Sequence, residues 1–164
     1  MLTKAVFDAA DLLEFDTSKP ALDLYAGAGL FAATMAARHG STSFTAVENN
    51  KQAVADGTKS AIDLSNLKFE KSDVLQYLRQ ASAKPGSFDT VVLDPPRSGA
   101  AGKVIEQLVK LRPRNIIYVA CDPVALARDL GSLTKAGYQL SGLKSLDIFP
   151  HTHHFEAVAA LTLG

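Results

Sequence analysis

The chain has 164 residues, 47% of them apolar and 21% charged, and its 17 basic and 17 acidic side chains cancel. That length and composition describe one globular domain with a real core, and no apolar run is long enough to span a bilayer. Zero net charge excludes the overall basic excess of a domain that grips nucleic acid unaided, and a single cysteine excludes an internal disulfide and suits a reducing cytoplasm.

The chain opens in a helical pattern, Leu2 to Leu13. Short apolar runs then alternate with helical segments. Ala21–Tyr25, Ser43–Glu48, Leu67–Glu70, Thr90–Asp94 and Asn115–Ala120 read as strands. Between them, Leu30–His39, Lys51–Leu64, Val74–Ala83, Lys103–Leu111 and Val124–Lys135 carry apolar residues at helical spacing. Such alternation predicts parallel strands joined by right-handed crossovers, with helices on both faces and strands apolar on both sides. After Gly137 the pattern changes. Two strand-like runs, Gln139–Ile148 and Ala157–Leu163, are separated only by Phe149–Glu156. A connection that short holds no crossover helix, so these two strands are expected to pair antiparallel.

Asp23-Leu24-Tyr25-Ala26-Gly27-Ala28-Gly29-Leu30 leads from the first strand into a helix. Gly27 and Gly29 allow a tight turn and close approach of a ligand to the backbone. Glu48 ends the second strand, where a carboxylate can accept from a ribose, and Asp73 follows the third. Together they describe a nucleoside-binding crevice at the carboxyl ends of the strands. Gly27-x-Gly29-x-x-Ala32 also satisfies the relaxed dinucleotide fingerprint, so a nicotinamide cofactor stays open on these residues alone. The reversed last strand is similar instead to the sheet of class I S-adenosylmethionine-dependent methyltransferases.

Asp94-Pro95-Pro96-Arg97-Ser98-Gly99 closes the fourth strand. Two prolines make a rigid exit that holds the Asp94 carboxylate at the rim, and Arg97 offers a planar fork for a phosphate or a base edge. A similar Asp-Pro-Pro exit occurs in methyltransferases acting on exocyclic amines, which keeps a nitrogen acceptor open. Cys121 ends the fifth strand and precedes Asp122-Pro123, a helix N-cap followed by the residue favoured at the first helical position. A strand end beside a helix N-terminus presents a thiol where the dipole favours thiolate. Phe149-Pro150-His151-Thr152-His153-His154-Phe155-Glu156 reads as a polar loop entering the last strand. Its histidines lack the companion cysteines or spaced carboxylates of a zinc site, so no metal is expected. Glu156 begins the last strand at the rim where Cys121 and Asp94 emerge.

In this order, Asp-Leu-Tyr-Ala-Gly-Ala-Gly, Asp-Pro-Pro-Arg-Ser-Gly, Tyr-Val-Ala-Cys-Asp-Pro and Phe-Pro-His-Thr-His-His-Phe-Glu resemble the catalytic domain of the RNA (uracil-5-)-methyltransferases, which form 5-methyluridine in tRNA and rRNA. The resemblance covers essentially the whole chain. It implies a class I methyltransferase fold, a seven-stranded, mostly parallel sheet with an antiparallel last strand. It implies Cys121 as nucleophile and Glu156 as general base. It implies an S-adenosylmethionine site lined by Tyr25, Gly27, Gly29, Leu30, Glu48 and Asp73, with Asp94 between cofactor and target base and Arg97 on the RNA. The chain departs from the family pattern at Ala26, where a cysteine is common. The family's glutamine ahead of the first helix, its amino-terminal RNA-binding and central domains, and the clustered cysteines of some members have no counterpart in these 164 residues. A cofactor-binding module without activity of its own is the other class of function left open.

Overall fold

A computed structural model of the chain describes residues 1–146 and 156–164. In chain order its elements are α1 (Leu2–Leu12), β1 (Ala21–Leu24), α2 (Leu30–Arg38), β2 (Phe44–Glu48), α3 (Lys51–Ser60), β3 (Leu67–Lys71), α4 (Val74–Ala81), β4 (Thr90–Leu93), α5 (Gly102–Leu111), β5 (Asn115–Ala120), α6 (Pro123–Lys135), β6 (Tyr138–Leu146) and β7 (Glu156–Leu163). The strands form one sheet in the order β3-β2-β1-β4-β5-β7-β6. β1 to β5 pair in parallel, and β7 pairs antiparallel with both β5 and β6. This is the expected seven-stranded sheet with one reversed strand. Among the described residues no helix is long and apolar enough to cross a membrane.

The sheet is covered on both sides because its central strands are apolar on both sides. Every residue of β1, β4 and β5 is buried. Successive side chains alternate between two cores, as strand geometry requires. Val91, Leu93, Ile116, Tyr118 and Ala120 join Val104, Leu108, Leu126 and Leu133 from α5 and α6. Val92, Ile117 and Val119 join Val6, Ala9, Phe31 and Met35 from α1 and α2.

The expectation of strands apolar on both sides fails at the sheet edges. β3 leaves Lys68, Glu70 and Lys71 exposed, and β6 is exposed along most of its length. An edge strand has a neighbour on one side only, and charged side chains there discourage pairing with another chain. Element ends also shift. α3 stops at Ser60 instead of Leu64, because Leu64 N–H turns back to the Ala61 carbonyl at 2.9 Å.

Leu108 has no exposed surface and belongs to the core that α5 and α6 form against the sheet. Leu108→Ala is expected to lower unfolding free energy by about 2–5 kcal/mol through lost burial and the cavity left behind. Urea denaturation measures it, and an unchanged midpoint would place Leu108 outside the cooperative core.

Candidate active site

The strand ends β1, β2, β4 and β5 share one rim, and the turn after β1 is its most constrained segment. Tyr25 lies just past the strand with φ of 61°, in the left-handed region that bulky residues rarely occupy. The tight path is held by Ala26 N–H on the Val47 carbonyl (3.1 Å) and Gly29 N–H on the Ala26 carbonyl (2.7 Å). Gly27 and Gly29 have φ of 55° and 81°. A side chain at Gly27 would meet open space, which leaves its backbone approachable from outside. Gly29 is different: a Cβ there would press on the Phe69 ring, with Cε1 at 2.8 Å. Gly29 therefore serves packing as well as conformation. Leu30, the first residue of α2, is exposed beside it.

Glu48 closes this turn from the neighbouring strand. One carboxylate oxygen accepts from Gly27 N–H at 2.9 Å and the other from Asn50 N–H at 2.7 Å. The residue expected to hold a ribose thus also braces the Gly-rich turn. Asp73 is the N-cap of α4, accepting from Gln76 N–H at 3.0 Å. Its charge reaches Tyr25, whose hydroxyl is pushed above its ordinary pKa, first by burial and then by Asp73 and Asp129.

Two further carboxylates lie deeper. Asp23 is buried under the start of α2, where one oxygen accepts from Ala32 N–H at 2.9 Å. Its other oxygen is buried without a hydrogen-bond partner among the described residues. Burial, with the nearby charges of Asp94 and Glu48, pushes its carboxyl up to about 7. Asp94 follows β4 and is half-buried, and burial together with Glu156 pushes it up to about 6. Sequence reasoning misses Asp23 as a residue of this rim. Its position inside an apolar strand was the available signal, since a buried carboxylate needs a reason.

Cys121 is half-buried at the end of β5. Asp122 caps α6 as expected, accepting from Ala125 N–H at 2.7 Å, with Pro123 as the first helical residue. Cys121 lines a narrow cleft with Pro95, Pro96 and Arg97 on one side and Ala125 and Leu126 on the other. Arg97 is exposed at its edge. β5 and β7 pair as far as Ala120 and Ala157, so the next residues outward on the two strands are Cys121 and Glu156. Glu156 reaches the rim from β7, beyond the described lining of that cleft, and acts electrostatically on Asp94. Larger hollows lie elsewhere, under α1 and between α5 and α6, so side-chain chemistry and not cavity size marks this rim.

The predicted loop with His151, His153 and His154 lies outside the described residues. Among the described residues no group of three or more His, Cys, Asp or Glu stands together in a way that could hold a metal ion.

The two raised carboxyls set a pH dependence. The folded chain keeps protons on Asp23 and Asp94 that the unfolded chain releases above the ordinary value of 3.8. The folded state then binds more protons, so this contribution to stability is full below that value and is lost as pH rises to between about 6 and about 7. Asp23→Asn should flatten the decline and gain on the parent as pH rises. Denaturation midpoints across that window measure this, and parallel profiles for parent and variant would refute it.

The family model for the tRNA (uracil-5-)-methyltransferases matches residues 3–163. An uncharacterized RNA methyltransferase of Streptomyces avermitilis is 45% identical over 142 residues, covering 86% of this chain and 32% of its own length. The 23S rRNA (uracil(1939)-C(5))-methyltransferase RlmD of Klebsiella pneumoniae is 40% identical over 153 residues, covering 92% and 34%. Among solved structures, the Pyrococcus abyssi tRNA (uracil-54, C5)-methyltransferase in complex with S-adenosyl-L-homocysteine superposes with a TM-score of 0.76 at 30% identity, over 97% of this chain and 38% of that one. NSun6 from Pyrococcus horikoshii, with a TM-score of 0.75 at 16% identity over 96% of this chain and 51% of that one, shares the fold. The chain spans about a third of the length of the curated relatives it matches. It belongs to the tRNA (uracil-5-)-methyltransferase family and has the class I methyltransferase fold.

Proposed function

We propose that this chain transfers a methyl group from S-adenosylmethionine to carbon 5 of a uridine in RNA, with Cys121 as nucleophile and Glu156 as general base. The observation that carries the reading is the β5–β7 register: beyond the Ala120–Ala157 pair, the next residues on the two strands are a thiol and a carboxylate. Family membership supplies the chemistry those groups would serve, and relatives acting on rRNA and on tRNA support RNA of either kind as the substrate. A reducing cytoplasm, which keeps the lone thiol free, suits it.

The crevice fits the cofactor. Gly27 gives open access to backbone, while Glu48 and Asp73 lie at the rim beside Tyr25 and Leu30. Asp23 and Asp94 are held above the ordinary carboxylate range by burial. A cation entering this crevice would offset the cost of ionising them. S-adenosylmethionine supplies, when bound, a methyl group on a positively charged sulfur.

Carbon 5 of uracil is a poor nucleophile. Addition of the Cys121 sulfur to carbon 6 breaks the 5,6 double bond and moves electron density onto carbon 5. Once carbon 5 carries the methyl, Glu156 takes the proton that remains there. The double bond re-forms and the sulfur leaves. Asp94, half-buried between the Gly-rich turn and Glu156, orients the base, and Arg97 at the cleft edge holds the RNA by its planar fork. The target uridine must leave its stack to reach a thiol in so narrow a cleft.

The natural-length gene product, mixed with S-adenosylmethionine and RNA carrying 5-fluorouridine, is expected to form an adduct on Cys121 that survives denaturation. Fluorine in place of the carbon 5 hydrogen blocks the final proton removal. Cys121→Ala should form none. Glu156→Gln should accumulate the methylated adduct on ordinary RNA and lose about 10²–10⁴-fold in turnover. An adduct that persists in Cys121→Ala, or a methyl found on nitrogen after digestion and mass spectrometry, would overturn the reading.

A further inference from the structure

Asp129 is buried in α6 at 2% exposure. One of its oxygens accepts from the Tyr118 hydroxyl at 2.6 Å and from Ala100 N–H at 2.8 Å. The other accepts from Arg128 Nε at 2.9 Å and pairs with Nη2 at 2.8 Å. The same Nη2 donates to the Ser98 carbonyl at 2.8 Å. Gly99, with φ of 82°, passes so close that a Cβ there would lie 2.6 Å from an Asp129 oxygen and would run into Arg128 Nη2. None of these groups belongs to the reacting set, yet apart from each other their partners lie on the segment that follows Arg97 or on β5, the strand that leads to Cys121.

We propose that Asp129 and Arg128 are positioning residues, a strut that clamps the Ser98–Ala100 segment onto α6 and so fixes Arg97 at the mouth of the Cys121 cleft. The proposal rests on the function proposed above for that cleft. A buried carboxylate with three donor groups, one of them a guanidinium, is a stiff anchor, because an ionised acceptor strengthens each bond. A static core role would need no arginine. Arg128 is more than half exposed, and its reach to the Ser98 backbone carbonyl contributes little to the core. Its consequence is where the loop sits, and the loop end it holds is next to Arg97.

The test uses the natural-length gene product with Arg128→Ala, Arg128→Lys and Asp129→Asn. Trypsin cleavage after Arg97 reads the loop directly, and Arg128→Ala should raise its rate about tenfold, as expected for loss of one charge-assisted hydrogen bond. Adduct formation with 5-fluorouridine RNA should slow about 10- to 100-fold, the penalty of a small misplacement, while affinity for S-adenosylmethionine stays unchanged. Arg128→Lys should recover part of both. Asp129→Asn keeps an acceptor for Tyr118 and Ala100 but gives up the charge facing Arg128, so it should shift in the same direction as Arg128→Ala. Parental cleavage and adduct rates in Arg128→Ala would overturn the proposal. So would a loss of cofactor affinity in step with the loss of adduct, which marks a merely structural role. If the parent forms no adduct on Cys121 but Arg128→Ala still frees the loop, the strut stands and the proposed function fails.

Discussion

One reversed strand decides which side chains meet at the rim of this domain. Parallel strands deliver only their carboxyl ends to a common rim, so every residue arriving there comes from the end of a strand or the start of the following helix. β7 runs the other way between β5 and β6, and it brings its first residue, Glu156, to that rim. In the proposed reaction a base must approach from a different direction than the nucleophile. A wholly parallel sheet would have to supply it from a long loop. Here the ladder from Asn115–Thr162 to Ala120–Ala157 sets the register before Cys121 or Glu156 is reached. A one-residue slip would replace Glu156 with alanine or with a residue of the preceding segment, and it would also turn Val158 and Ala160 out of the α1–α2 core. Packing of the strand therefore protects the register of the site.

The rim is acidic where it is least solvated. Asp23 lies in a buried strand with one oxygen unpartnered among the described residues, and Asp94 is crowded by Glu156. A sheet interior chosen for stability alone would not hold Asp23. Left-handed Tyr25 adds backbone strain beside it. Local departures of this kind gather where a fold gives up stability for a ligand. A cationic ligand would relieve the carboxylates, which agrees with the proposed cofactor and disfavours an anionic pyrophosphate at the same place.

Much of this was legible in the sequence because it is local. The alternation of runs, the Asp122-Pro123 helix start and the short link before the last strand depend on neighbours within a turn or two. The edge strands were misjudged for a physical reason: Leu67 and Phe69 look like a core strand, but Lys68, Glu70 and Lys71 become acceptable only with one neighbour missing, and strand order is not written locally. Glu48 was expected to face a ligand. That it also binds Gly27 N–H depends on how β1 and β2 abut. Asp129 was invisible because it reads as one polar residue on an amphipathic helix. Its burial comes from Tyr118 and Ala100, the latter 29 positions away.

The segment after β4 shows how rigidity is divided between covalent and tertiary means. Pro95 and Pro96 stiffen its first half by fixing φ, a constraint written in the chain. Past Arg97 that constraint ends, and Gly99 at φ of 82° would loosen the loop if nothing else acted. The Asp129 carboxylate and the Arg128 guanidinium take over there, through Ala100 N–H and the Ser98 carbonyl. Gly99 is needed because they come so close. Arg97 thus stands between a segment stiff by its own sequence and one stiff by contact with α6, the helix that begins beside Cys121. In the proposed reaction these 164 residues, with no net charge, contribute no broad electrostatic field of their own toward RNA. In the proposed reading they hold one cation, Arg97, at the edge of the cleft, and the two halves of this loop constrain the segment on either side of it.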